Sequence, residues 1–434
     1  MIRTLKVLLF GRPIGVLSLR NDGFAEFEYF DAFCRSGLQP SPLQMPAVPG
    51  TVYSFPSLNR DSFSGLPGMI SDSLPDSFGR SLLDRWLAET GRSEANILEV
   101  LSYQGKRCMG ALEFEPSRET SLEESSTLEI DSLVKTARDI LASKESFRTN
   151  LQEKSQAVLD IIRIGTSAGG QRAKAIIALN DTTGEIRSGQ VEAPEGFDYW
   201  LLKLDGFDSN GRPMKASNFG RREYAFSECV SAGGMNMTEC RLMEENERAH
   251  FMTKRFDRYQ GKKIHMQTLC GLAHYDFRRP QAYSYEQAFV TMRRLGLDYR
   301  DSEELFRRMV FNVMSVNMDD HTKNISFLMD ESGKWRLSPA YDMGFSYNPN
   351  GRWANAHQMT INGKKDHITG ADLIEFANKQ GIRNPQKLIE EAEYGISRFP
   401  AFAKDCGVPE EEINYIMTFV GQKIKECNQY GLHS

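Results

Sequence analysis

Asp319 and Asn324 stand with four residues between them in Met318-Asp-Asp-His-Thr-Lys-Asn324, and Asp342 follows in Tyr341-Asp-Met-Gly344. A carboxylate can take the proton of an attacking hydroxyl. A carboxamide oxygen and a second carboxylate can hold Mg²⁺ beside a polyphosphate. This is equipment for phosphoryl transfer, at the spacing of a kinase catalytic loop. Asp319 satisfies the spacing to Asn324, and Asp320 is the alternative base. Asp, Asn and His also favour turns for local hydrogen-bonding reasons, so the short motif alone is a weak signal.

The surrounding pattern predicts how these groups are positioned. Leu305 to Val316 mixes apolar and polar residues at helical spacing, which leaves Asp319 in a loop just past a helix end. Ile325–Met329 and Lys334–Leu337 flank Asp330-Glu-Ser-Gly333 and predict a hairpin. Pro339 and then Asp342-Met-Gly344 follow it, so three oxygen-bearing groups lie on two loops beside one hairpin.

The 434 residues suggest two or three domains. Apolar residues make up 40% and charged residues 26%, ordinary values for a water-soluble globular chain. No apolar run approaches the roughly 20 residues of a membrane span, so no membrane partner is expected. The start, Met1 to Phe10, is interrupted by Gly11-Arg12-Pro13 and reads as a first strand rather than a signal peptide. Seven scattered cysteines without a C-x-x-C fit reduced thiols in the cytoplasm. The seven histidines show no zinc-site spacing, and the net charge of −5 gives no support for direct nucleic-acid binding.

Residues 1–115 read as a small β-rich α+β unit. Strands are expected at Leu5–Phe10, at Ile14–Leu19 and, after the turn Asn21-Asp22-Gly23, from Phe24. Asp76 can cap a helix, Ser93 opens another that ends near Gly105, and Cys108–Phe114 reads as a strand. Residues 116–150 are a Ser-, Thr- and Glu-rich linker followed by a helix opened by Asp131. Residues 151–260 hold a Gly- and hydroxyl-rich loop, Ile164 to Lys174, leading into the strand Ala175–Leu179. Such a loop can bring backbone N–H groups to phosphates. A plain hairpin connection without a ligand is the competing reading. Lys203 ends an apolar strand from Phe197, where a kinase places its phosphate-contacting lysine. Asn218 can cap the next helix, whose Glu223 is a candidate partner for Lys203. A further strand is expected from Phe251 to Arg258. Residues 261–434 are mainly helical, with amphipathic runs at 285–295, 302–316, 370–380, 385–399 and 409–427. The fold class is therefore α+β: two-lobed and protein-kinase-like, with an N-terminal β-rich subdomain and a helical C-terminal lobe.

The ordered set resembles the HipA-type serine/threonine kinases of bacterial type II toxin–antitoxin modules. Ser167-Ala-Gly-Gly-Gln-Arg-Ala-Lys174 resembles the family's phosphate loop. Lys203, Lys254-Arg-Phe-Asp-Arg258, Asp319-x-His-x-Lys-Asn324 and Tyr341-Asp342 follow in the family's order, and Ser73-Leu-Pro-Asp-Ser77 resembles part of its first subdomain. The resemblance implies that Asp319 is the catalytic base, with His321 and Lys323 organising its loop. It implies ATP and Mg²⁺ as cofactors, with Asn324 and Asp342 on the metal. Ser167, Ala168, Gly169, Gly170, Gln171, Lys174 and Lys203 would lie at the phosphates, and Lys254, Arg255 and Phe256 would form the adenine hinge. It implies self-phosphorylation on Thr166 or Ser167, a small helix-turn-helix antitoxin similar to HipB, and operator DNA reached through that complex. It also implies a protein substrate, with an aminoacyl-tRNA synthetase as one candidate. Asp320 stands where the family often has Gly, and Met343 follows the metal Asp. A pseudokinase scaffold in a repressor complex and a small-molecule kinase are the alternative functions.

Overall fold

The computed structural model describes residues 2–76, 79–80, 83–84, 87, 95–117, 173–190, 192–206, 218–245 and 247–429. The phosphate loop, with Thr166, Ser167, Ala168, Gly169, Gly170 and Gln171, lies outside the described residues, as do the helix expected from Asp131 and Ser93, the expected start of the helix that ends near Gly105. The chain divides into two compact units. The first comprises Met1–Gly220, Cys240–Gln267 and Met329–Gly333; the second comprises Arg221–Glu239, Thr268–Leu328 and Lys334–Ser434.

Two five-stranded sheets build the first unit. In the first sheet the strands are β1 (Thr4–Leu9), β2 (Arg12–Leu19), β3 (Ala25–Tyr29), β4 (Val52–Ser54) and β5 (Leu112–Glu115), in the order β4-β3-β2-β1-β5. Every pairing is antiparallel. Leu5 and Val7 are buried on β1 while Thr4 and Lys6 are exposed, the period-two pattern of a half-buried strand. At Gly15 any Cβ would lie 2.3 Å from the Glu28 carbonyl oxygen on β3, so only glycine lets these strands pair. The helix Ile97–Gln104 begins at Asn96 through a capping box with Glu99 and ends at Gly105. That box supersedes Ser93 as the helix start: Asn96 accepts from the Glu99 backbone and Glu99 returns the bond. The expected strand Cys108–Phe114 is shortened to Leu112–Glu115, because Gly110 turns the chain with φ +74.

The second sheet holds β6 (Lys174–Leu179), β7 (Ile186–Ser188), β8 (Asp198–Lys203), β9 (Cys240–Glu245) and β10 (Arg248–Lys254), in the order β7-β6-β8-β10-β9. All its pairings are antiparallel, and Trp200 at its centre is fully buried. The expected strand at 251–258 is thus shifted toward the N-terminus, since Arg248 to Lys254 forms a hairpin with β9.

A buried charge cluster ties the two sheets together. Arg255 donates to both carboxylate oxygens of Asp257, at 2.8 and 2.7 Å, and to the Gly189 carbonyl. Arg258 donates to Asp257 and to the carbonyls of Gly110 and Cys108. The Gly110 N–H closes the cluster onto Asp257 at 2.7 Å. Asp257 is wholly buried. Burial alone would push its carboxyl up, but the Arg255 and Arg258 guanidiniums outweigh that and hold it well below the usual carboxylate range.

The second unit is mainly helical. Its helices include Tyr285–Arg294, Tyr299–Met314, Gly370–Gln380, Pro385–Ser397, Phe399–Asp405 and Glu410–Gln429. Their starts follow capping chemistry: boxes at Ser284/Gln287 and Thr369/Asp372, and Asp298 accepting from Arg300 and Asp301. The expected helix 385–399 ends at Ser397, and a new one starts at Phe399 with Pro400 in its first turn. There the missing proline N–H has no partner to lose. Gly395 lets two helices touch backbone to backbone, since a Cβ there would lie 2.4 Å from the Cys229 carbonyl. Phe306 and Phe289 pack on Phe376, and Phe226 stacks on Phe399. No helix among the described residues is long and apolar enough to cross a membrane.

Candidate active site

The helix Tyr299–Met314 points its C-terminal end at the residues that could do chemistry. Val316, just past that end, turns with φ +55, and the chain runs through Asn317 and Met318 to Asp319. A short parallel bridge, Asn317 with Ser346, fixes this segment to the one after Asp342. Thr322–Asn324 forms a single 3-10 turn, and the strand Ser326–Met329 follows.

Asn317 joins the two loops through one side chain. Its Nδ2 donates to Asn312 Oδ1 at 2.8 Å and to the Asp342 carbonyl at 3.3 Å. Its Oδ1 accepts the Asp319 backbone N–H at 3.3 Å. Asn324 Nδ2 donates to the Asp319 carbonyl at 2.9 Å, so its amide oxygen is the end left to bind a cation. Asp342 is held at φ +51, a conformation that non-glycine residues adopt sparingly and that structures retain at working sites.

The two neighbouring aspartates are used differently. Asp320 is buried, and both its oxygens are engaged. One accepts the Gln358 N–H at 2.7 Å; the other meets the Tyr285 hydroxyl at 3.0 Å and His357 Nδ1 at 2.9 Å. Tyr285 is tied in turn to Asn312, which binds Asn317. Asp319 has a side chain 42% exposed. Its Oδ1 accepts the Trp353 indole N–H at 2.8 Å, with His321 Nε2 at 4.0 Å from the same oxygen. Desolvation raises the Asp319 carboxyl above its ordinary range; His321 and Trp353 pull it down, while Asp342 and Asp320 push it further up.

His321 packs edge-on against Phe277, and the Lys323 ammonium lies 4.7 Å over the same ring. The Lys323 carbonyl accepts the Tyr341 hydroxyl at 2.6 Å, which links the 3-10 turn to the Asp342 loop. His321 and Lys323 therefore brace the loop around Phe277. No group of three or more His, Cys, Asp or Glu side chains poised for a metal occurs among the described residues. A cation here would draw on the Asn324 oxygen and the Asp342 carboxylate, and the remaining ligands would come from phosphate and water. That donor set suits a hard ion such as Mg²⁺, and the crowding of like charge at Asp319, Asp320 and Asp342 fits the presence of one.

Of the other residues singled out by sequence, all but Glu223 belong to the first unit. Lys203 ends β8 with its ammonium 5.6 Å over the Phe251 ring. Lys174 is buried in an ion pair with Asp76 at 3.1 Å, which gives it a structural partner. Asp76 also accepts the Gly79 N–H, as expected of a cap. Lys254 pairs with Asp198 at 2.6 Å. The Arg255 side chain is committed to Asp257, so at a hinge it could offer a ligand only its backbone. Phe256 is half-buried beside it, and Glu223 belongs to the second unit.

Asn317, Trp353, His357 and Gln358 carry no motif. A lone Trp in the Asn-rich run 348–355 is the one available signal, and nothing in the sequence ties it to Asp319.

Asp320→Ala is expected to unhook this loop. It would leave Tyr285, His357 and the Gln358 N–H without their buried acceptor, at about 1–3 kcal/mol for each stranded group. Thermal unfolding should show a clear loss of stability, and an unchanged midpoint would refute the bracing role.

Comparison with known proteins gives the family and the fold. The HipA N-terminal domain model matches residues 5–115, and the HipA-like C-terminal domain model matches residues 166–426. The Shewanella oneidensis HipA structure, solved with HipB and operator DNA, superposes with a TM-score of 0.68 at 17% identity, over 98% of this chain and 97% of that one. The Helicobacter pylori proinflammatory kinase CtkA gives a TM-score of 0.35 at 12% identity, over 54% of this chain and 88% of that one. A candidate kinase of Haemophilus influenzae is 22% identical over 270 residues, 52% of this chain and 78% of that protein. With both domain models matched in order and the HipA α+β fold shared along its length, the chain belongs to the HipA family.

Proposed function

We propose that the protein is an ATP-dependent serine/threonine protein kinase acting as the toxin of a HipA-type module in the cytoplasm. The observation that carries the reading is the unequal use of two adjacent aspartates. Asp320 is buried with both oxygens engaged, while Asp319 keeps a half-exposed carboxylate on a loop tied by Asn317 to the Asp342 loop. Asp319 would accept the proton of the acceptor hydroxyl as it attacks. Asn324 and Asp342 would hold Mg²⁺, and Lys203 would contact the phosphates. When bound, Mg²⁺-ATP supplies the transferable phosphoryl group and offsets its charge.

Thr166 or Ser167 is the proposed self-phosphorylation site. A phosphate there would add about −1.5 to −2 charge beside the nucleotide's own phosphates and lower ATP binding. A small helix-turn-helix antitoxin is the proposed partner, and operator DNA would be reached through it. HipB and operator DNA accompany the related Shewanella HipA. The substrate is proposed to be a protein of translation, with an aminoacyl-tRNA synthetase as the first candidate.

The test is incubation with γ-labelled ATP, with and without host lysate, followed by peptide mass spectrometry. Labelled lysate protein and phosphate on Thr166 or Ser167 are expected for the wild type, and neither for Asp319→Asn. No transfer by the wild type to any protein would overturn the reading.

A further inference from the structure

Trp353 lies in a segment with no helix or strand, yet it is fixed from several sides. Its carbonyl accepts Gln358 Nε2 at 2.6 Å, and the same amide reaches the Met318 carbonyl at 3.1 Å. The Gln358 N–H and His357 are anchored on buried Asp320, and the Asn348 N–H binds the Ala354 carbonyl at 2.8 Å. A loop held at so many points is not a random drape over the surface. Its indole N–H ends on Asp319 Oδ1, whereas Asp319 Oδ2 accepts no hydrogen bond from the described residues.

We propose that Trp353 is a positioning residue for Asp319: its indole N–H holds Oδ1 so that Oδ2 is turned to receive the proton of the acceptor hydroxyl. This rests on the phosphoryl-transfer reading above. A carboxylate on a short side chain can rotate about χ2, which exchanges its two oxygens. A bond to one oxygen from a rigid ring stops that rotation and leaves a single orientation. The charged groups around the carboxylate, His321, Asp320 and Asp342, do not supply this constraint. His321 Nε2 stands 4.0 Å away, beyond hydrogen-bond distance. Asp320 and Asp342 carry the same charge and cannot donate.

The test uses the full chain, labelled ATP as donor and host lysate as acceptor. It compares wild type, Trp353→Phe, and a variant with 3-benzothienylalanine at position 353. That analogue nearly keeps the shape of the bicyclic ring and carries sulfur in place of the N–H, so it cannot donate. Both variants are expected to lower the maximal transfer rate about ten- to hundredfold, the scale of a misplaced catalytic group. The ATP concentration at half-maximal rate should stay within about twofold, because the indole N–H is spent on Asp319. In parallel, the ¹⁵N-indole spectrum of the wild type should lose the shift of one Trp resonance on Asp319→Ala, and Trp353→Phe assigns that resonance.

A benzothienyl variant with the wild-type rate would overturn the proposal. A faster variant would also overturn it and would make the indole a plug on the base. An indole resonance that ignores Asp319→Ala would overturn it too. Absence of transfer in the wild type would be a failure of the kinase reading instead, and it is told apart because the rate of every protein would then be nil.

Discussion

Asp319→Asn should abolish phosphoryl transfer, lowering its rate by about 10²- to 10⁴-fold, while nucleotide binding is kept. The amide can still accept the Trp353 indole bond, so the loop should stay in place. It cannot take a proton. The same change should raise the unfolding temperature. Burial and the nearby carboxylates lift the Asp319 carboxyl above its unfolded value, so the folded chain holds its proton more tightly than the unfolded one. Stability from this group is therefore present at acid pH and is lost as pH rises through the raised folded value. At neutral pH the charged carboxylate works against the fold, and the neutral amide removes that opposition. A transfer assay and a thermal scan on one preparation check both halves. Transfer at the wild-type rate would remove Asp319 as base, and the buried contacts of Asp320 leave it unable to take over.

Asp257→Ala should produce a large loss of stability. It strands two guanidiniums, Arg255 and Arg258, that are both nearly inaccessible to water. Removing one partner from a buried charge cluster costs about 3–5 kcal/mol. Burial and the Arg255 charge already lower the Arg258 pKa to about 10, even with Asp257 in place. Asp257 is held below its ordinary range, so its contribution is present above the unfolded carboxylate value, near 3.9, and fades as pH falls below it. Urea denaturation followed by Trp fluorescence should show an earlier first transition for the variant at pH 7. The gap from wild type should narrow in acid. A midpoint shift worth less than about 1 kcal/mol would refute the role given to the cluster.

The sequence made much of this legible where local chemistry decides. The Gly370–Gln380 amphipathic run and the hairpin around Gly333 follow from short-range rules, whereas the helix starts at Asn96 and Asp298 fall away from the expected Ser93 and 302. The Asp319, Asn324 and Asp342 spacing is readable from sequence because all three sit on two short loops beside that hairpin. Elsewhere the register slipped. Cys108–Gly110 looked like strand because apolar residues flank it, yet Gly110 and its bond to Asp257 make a turn. The resemblance places Lys174 at the phosphates and Arg255 in the hinge, and neither short motif announces a side-chain partner. Their partners, Asp76 and Asp257, are set by tertiary packing, which no local pattern reports. Trp353 and Gln358 could not be found at all, since 34 residues separate Trp353 from the Asp319 oxygen it binds.

Asn317 has one consequence for how the site can vary. A carboxamide offers two hydrogens and one oxygen, and here Asn312, Asp342 and Asp319 use all three functions. Aspartate in that place has the same outline but no hydrogens to give, so it would set oxygen against oxygen on two sides. Leucine would strand the same three partners. Glutamine would carry the amide one methylene too far. A position that accepts neither the isostere, nor the apolar mimic, nor the longer homologue is a lock with one key. One missense substitution there would loosen the Asp319 and Asp342 loops together.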